Sequence, residues 1–197
     1  MIWRNLVGFL ATLFAGFLLT ACQTTENTPP PKMFNADSMQ AMSINARRLE
    51  IIDSWQMPVQ DPYVGHRATP LPSNVLADWA TSVLKPAGGS GELVFDIRKA
   101  AVTMEPLPLK AGIDGLFTDQ QSRQVRSEIE AKIMWLQPVG GAQAMIDLRA
   151  SHAITIPESA TPGEVLNTIH ESFQGALLRL DSKAREELSK IDRVILP

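Results

Sequence analysis

Residues 125–136 read VRSEIEAKIMWL, and apolar and charged side chains alternate along them. This alternation with a period of two is typical of a β-strand with one buried and one solvated face. The next residues, Pro138-Val139-Gly140-Gly141, are typical of a hairpin turn, so residues 142–156 are expected to return as an antiparallel strand. The expected buried row of the first strand consists of Val125, Ile129, Ala131, Ile133 and Trp135.

The flanking sequence predicts two more strands and two helices. The strands are expected at residues 44–55 and 92–104, and a helix with Ser73 as its N-cap is expected between them. Thr161-Pro162-Gly163-Glu164 is a capping box that begins a second helix of about thirty residues. The order strand, helix, strand, strand, strand, helix predicts an α/β (α+β) fold, a two-layer sandwich. Its four-stranded mixed sheet has one parallel pair, and both helices lie on one face.

The N-terminus carries a different signal. One basic residue, Arg4, precedes the run 6–20, which contains no ionisable side chain, as in a signal peptide. At its end, Leu19-Thr20-Ala21-Cys22 resembles the lipobox of bacterial lipoproteins. The resemblance implies cleavage between Ala21 and Cys22, with diacylglycerol and an N-acyl chain on Cys22. The alternative is an uncleaved anchor with an incidental cysteine.

These features divide the chain into three parts. Residues 1–21 are the expected signal peptide, and 22–43 are the lipidated cysteine with a flexible tether that contains Pro29-Pro30-Pro31. Residues 44–197 form a single domain of suitable size. Gln23 follows the cysteine where an aspartate favours inner-membrane retention in gammaproteobacterial lipoproteins. We therefore expect an outer-membrane anchor with the domain facing the periplasm, and the periplasmic face of the inner membrane is the alternative.

Composition and motifs argue against several classes of function. The mature chain would carry 17 basic against 21 acidic residues, which disfavours nucleic-acid binding. The three histidines, His66, His152 and His170, lack metal-ligand spacing, and no nucleophile elbow is present. We expect no metal, no catalytic residue, no enzyme activity and no cofactor beyond the lipid on Cys22. A hydrolase whose residues meet only in three dimensions stays an alternative.

Several stretches resemble an uncharacterised family of alphaproteobacterial lipoproteins. They are the segment from Pro70-Leu71-Pro72 to Trp79, the run Gly115-Leu116-Phe117-Thr118-Asp119-Gln120, the loop 62–66 and Glu105-Pro106-Leu107-Pro108. The element order is also loosely similar to that of outer-membrane lipoproteins that assist lipopolysaccharide assembly or lipid-transport ABC systems. A likeness in element order does not carry function with it.

Two connections are longer than their strands require. Residues 109–123 form the first, and long loops are often functional. We expect a partner-binding loop here, formed by Ile113, Leu116, Phe117, Thr118, Asp119 and Gln120. The alternative is that Leu116 and Phe117 fold back onto the sheet edge. The second connection, 61–72, is either a second contact surface or a stiff strap across the sheet.

The sequence therefore predicts a membrane-anchored periplasmic lipoprotein that acts as a non-enzymatic adaptor in envelope biogenesis or lipid transport. Its partners would be membrane lipid, through Cys22, and an envelope protein. The alternative is a lipid- or glycan-binding module that uses a groove between the C-terminal helix and the sheet.

Overall fold

The computed structural model describes residues 39–108 and 120–197. In these ranges the strands are β1 (Met42–Ile44), β2 (Arg48–Asp53), β3 (Leu84–Pro86), β4 (Glu92–Pro106), β5 (Gln121–Leu136) and β6 (Gln143–Pro157). The helices are α1 (Pro72–Val83) and α2 (Pro162–Ser189), and a short 3-10 helix covers Gly65–Arg67.

The main sheet has the order β2-β4-β5-β6. β2 pairs in parallel with β4, and β4, β5 and β6 form an antiparallel meander. The predicted two-layer α+β sandwich with a four-stranded mixed sheet and two helices is therefore confirmed. The predicted row on β5 is buried in full, since Val125, Ile129, Ala131, Ile133 and Trp135 are each at most 3 % exposed.

The first predicted strand, 44–55, is wrong as a single element. The chain forms β1, turns, and then forms β2, and β1 pairs in parallel with β3 in a separate two-stranded sheet. The turn is held at Asn45, whose backbone N–H donates to the Val194 oxygen (2.8 Å) and whose backbone oxygen accepts from the Trp135 indole (2.7 Å). Strand β1 thus begins at Met42, within the residues predicted as tether.

Helix α1 begins two residues earlier than Ser73 would require as an N-cap. Leu71 is the N-cap residue, and Pro72 is the first helical residue. A proline suits this position because its fixed φ angle matches the helix and the first turn does not need its N–H. The buried face of α1 consists of Pro72, Val75, Leu76, Trp79, Ala80 and Val83.

A bulge in β4 changes which residues face the helices. The pairing of β4 with β5 shifts between Ile97 and Lys99, so Arg98 is the extra residue. Because a bulge moves the alternation by one residue, the buried row runs Leu93, Phe95, Ile97 and then continues at Ala100 and Val102. This shift keeps one face apolar over fifteen residues of strand.

Helix α2 packs closely on β5 and β6. A β-carbon added to Gly175 would lie 2.2 Å from the His152 ring, so glycine is needed where the helix crosses this side chain. One turn earlier, the hydroxyls of Ser127 and Ser172 are 2.9 Å apart, and the Ser172 hydroxyl also donates to the His152 backbone oxygen. This bonding lets two buried polar side chains lie in the core without an unsatisfied group.

The predicted capping box at the start of α2 is confirmed. The Glu164 backbone N–H donates to the Thr161 hydroxyl (3.3 Å), and the Thr161 N–H donates to the Glu164 carboxylate (2.8 Å). We expect Thr161→Ala to lower the free energy of unfolding by about 1 kcal/mol, since it leaves an N-terminal N–H of the helix without its acceptor. Urea denaturation followed by circular dichroism measures the change.

Thr168→Ala is the matched control for this prediction. Thr168 lies in the interior of α2, and its hydroxyl donates to the Glu164 backbone oxygen. Alanine is the better helix former at such a position, so we expect a change within about 0.5 kcal/mol. Equal losses for Thr161→Ala and Thr168→Ala would contradict the role given to the capping box.

The connection 61–72 is bonded to β4 beyond the part that pairs with β2, so it forms a strap along the sheet edge and not across the sheet. Tyr63 forms a β-bridge with Thr103, and the Val64 N–H donates to the Val102 oxygen (2.8 Å). The Met104 N–H donates back to the Pro62 oxygen (2.9 Å). These bonds fix the 3-10 helix Gly65–Arg67 near the end of the sheet from which β5 begins.

Candidate functional site

A cavity of about 440 Å³ lies where the strap, the start of β5 and the start of α2 meet. Its size falls within the range of about 300–1,000 Å³ that is usual for small-molecule sites. The side chains that line it combine two positive charges with an apolar surface: Arg67, Arg123, Ala160, Pro162, Val165, Leu166 and Ile169.

Arg123 reaches the cavity because of its position in β5. It lies two residues before Val125 and pairs with Ile156, which is buried on the neighbouring strand. Side chains two residues apart on a strand share a face, so Arg123 belongs to the row that α2 covers farther along. A charged residue is tolerated on this buried row only where the helix no longer covers the sheet completely. The cavity lies at this position.

Arg67 reaches the same cavity from the other side. It is the last residue of the 3-10 helix in the strap, and its N–H donates to the Val64 oxygen (3.0 Å). Val64 is in turn bonded to Val102 on β4. The strap therefore positions Arg67 through backbone bonds, although the residue itself is exposed.

The apolar side of the cavity comes from the first two turns of α2. Pro162, Val165, Leu166 and Ile169 follow the spacing i, i+3, i+4, i+7, so they share one face of the helix. Ile169 is buried, whereas Val165 and Leu166 keep part of their surface exposed. These two side chains are therefore available to an apolar ligand.

The electrostatic character of the cavity is positive. No acidic residue is among the described residues that line it. Glu164, the acidic residue in the first turn of α2, is occupied by the capping box. Within residues 39–108 and 120–197, neither the Arg67 nor the Arg123 guanidinium has a hydrogen-bond or ion-pair partner. The described lining of the cavity thus offers guanidinium N–H donors beside apolar surface.

The predicted site residues fall mostly elsewhere. Ala21, Cys22, Ile113, Leu116, Phe117, Thr118 and Asp119 lie outside the described residues. Gln120 is described, and its backbone oxygen accepts from the Glu158 N–H (2.8 Å) at the start of β5. Sequence reasoning missed Arg67 and Arg123. For Arg123 a signal was present, because it falls on the apolar side of the alternation in β5.

The histidines lie apart from one another on different elements. His66 has a buried Nδ1 with no hydrogen-bond partner among the described residues, His152 packs on Gly175, and burial lowers the pKa of His170. Within the described ranges, no three histidine, cysteine, aspartate or glutamate side chains come together as a metal site.

The uncovered face of the sheet carries ion pairs between neighbouring strands, as the alternation predicted. Lys99 pairs with Glu128, and this hydrogen bond raises the pKa of Lys99. Arg149 lies 3.8 Å from Glu130, and Lys132 lies 3.3 Å from Asp147. These charged side chains form a solvated surface.

Comparisons with known proteins give little further information. No family model matches the chain, and no curated protein matches it. Among solved structures, the chain is similar to the crystal structure of protein XCC0632 from Xanthomonas campestris, of the family DUF330. The TM-score is 0.30 at 13% identity, over 76% of this chain and 92% of that chain, and a score of this size does not establish a shared fold or activity. Among the described residues, no helix combines the length and apolar character needed to cross a bilayer.

Proposed function

We propose that this chain is a lipid-anchored, periplasm-facing envelope protein that acts as a non-enzymatic adaptor in envelope biogenesis or lipid transport. The observation that carries the proposal is the run Leu19-Thr20-Ala21-Cys22 at the end of an uncharged apolar segment. Acyl chains on Cys22 would hold the chain at an outer membrane whose inner leaflet faces the periplasm.

The positions where residues 109–119 leave and rejoin the body support a contact at one end of the sheet. The Leu107 N–H donates to the Ser122 oxygen (2.8 Å), and the Gln120 oxygen accepts from Glu158. Both attachment points are therefore fixed to the strands. β5 has 16 residues, so at about 3.4 Å per residue the opposite end of the sheet is about 50 Å away.

We expect the double substitution Leu116→Ser, Phe117→Ser to abolish co-purification of the envelope partner after crosslinking in intact cells. The reason is that a few residues supply most of the binding free energy of a protein interface, and Leu116 and Phe117 are the apolar pair proposed for this role. Identification of the crosslinked protein by mass spectrometry, from parent and variant cells in parallel, measures the loss.

The control is Leu136→Ser, Val139→Ser, at the other end of β5. Leu136 is 43% and Val139 is 78% exposed, so this pair is also apolar and accessible. The control should retain the partner. If the partner is retained by the Leu116, Phe117 variant, or lost equally from both variants, residues 109–119 are not the contact.

A second candidate function is the binding of a lipid or glycan between α2 and the sheet. The cavity beside Arg67 and Arg123 favours it, because ligand sites combine apolar surface with a few polar groups that orient the ligand, and the described lining has both. A lipid fits better than a glycan, since the described lining has aliphatic side chains and no aromatic ring against which a sugar could stack.

A further inference from the structure

We infer that the cavity between the strap and helix α2 binds an amphiphile with one acyl chain and an anionic head, either a carboxylate or a phosphate. This inference rests on the second candidate function and names its ligand. Arg67 and Arg123 would bind the head, and the partly exposed Val165 and Leu166 would contact the acyl chain.

The charge of the head follows from the two arginines. A guanidinium presents N–H donors in a planar arrangement that matches the two oxygens of a carboxylate or phosphate. Arg67 and Arg123 come from different elements, yet both line one cavity and have no partner among the described residues. Neither guanidinium would therefore have to give up a partner among the described residues in order to bind an anionic group in the cavity.

The single acyl chain follows from the shape and size of the apolar side. Val165 and Leu166 are partly exposed neighbours near the start of α2, and the buried Ile169 lies one turn further on, so the apolar surface is narrow and suits the part of one hydrocarbon chain next to the head. The volume of about 440 Å³ is near the lower end of the range for ligand sites, which favours one chain over two.

The experiment is native mass spectrometry of the purified full chain in a non-ionic detergent, with three probes that share one oleoyl chain. Oleate has a carboxylate head, lysophosphatidate has a phosphate head, and monooleoylglycerol has a neutral head. We expect one bound oleate or lysophosphatidate per chain, with an affinity about tenfold higher than that for monooleoylglycerol, because the neutral head leaves the charged donors unpaired.

The variants Arg67→Gln and Arg123→Gln should each lower the affinity for the anionic probes about tenfold and leave monooleoylglycerol binding unchanged. Arg126→Gln is the matched control. Arg126 lies on the same strand but on the solvated face, where its guanidinium donates to the Gln124 side chain (3.3 Å). This variant should bind all three probes as the parent does.

The outcomes distinguish a failure of the anionic-head inference from a failure of the lipid-binding function. Binding of anionic probes that depends on Arg67 and Arg123 supports the inference. Equal binding of all three probes, with no effect of either substitution, would overturn the anionic head while leaving a lipid-binding function in place. If the parent chain binds none of the probes, the lipid-binding function and this inference both fail.

Discussion

Replacing Trp79 with alanine is expected to lower the free energy of unfolding by about 3–5 kcal/mol, as for other large buried aromatic side chains. Trp79 is fully buried on α1, and its ring lies 5.5 Å from the Phe95 ring on β4 at a tilt of 55°. Its indole N–H also donates to Asp181 on α2 (3.0 Å). This side chain of α1 thus contacts both the sheet and α2, and its loss would weaken both contacts together.

Urea denaturation of the full chain, followed by circular dichroism, measures this loss. Trp79→Phe is the control, because it keeps most of the apolar volume and removes the bond to Asp181. Asp181 retains its ion pair with Arg185 (2.8 Å), so we expect the phenylalanine variant to lose about 1–2 kcal/mol. A loss below about 1 kcal/mol for Trp79→Ala would contradict the central position assigned to this residue.

The parts of the fold that the sequence predicts correctly are those specified by local patterns. The alternation in 125–136 places each side chain of β5 on the observed face. The capping box at Thr161 determines where α2 begins, because its bonds lie within four residues. Patterns of this kind need no information from distant parts of the chain.

The errors occur where a distant segment determines the local structure. The predicted strand 44–55 is divided at Asn45 because Val194, about 150 residues later, accepts its N–H. A pairing over such a distance leaves no mark in the local sequence. At Ser73, in contrast, the signal was local but ambiguous, because Pro72 could precede the helix or begin it.

The candidate cavity could be predicted in part. Arg123 is the charged residue on the buried row of β5, which marks an opening in the core next to the start of a helix. Arg67 could not be predicted, because its position beside the cavity depends on the backbone bonds that hold the strap to Val102 and Thr103 of β4. The path of a proline-rich connection depends on the surface over which it packs.

Removing the proposed lipidation site, Cys22, has the second large expected effect, which is on the attachment of the chain to the membrane. A single acyl chain gives an association constant of only about 10⁴ M⁻¹, and each further buried CH₂ adds about 0.8 kcal/mol. A terminus with three chains would therefore stay on the membrane permanently. Cys22 is the only cysteine in the sequence, so Cys22→Ala removes the sole thiol that could accept diacylglycerol.

Metabolic labelling of cells with an alkyne fatty acid tests this anchor most directly. The parent chain and a Thr25→Ala control should incorporate the label after purification, and Cys22→Ala should incorporate none. If Cys22→Ala carries as much label as the parent and remains in the same membrane fraction, the chain is not a lipoprotein anchored at Cys22.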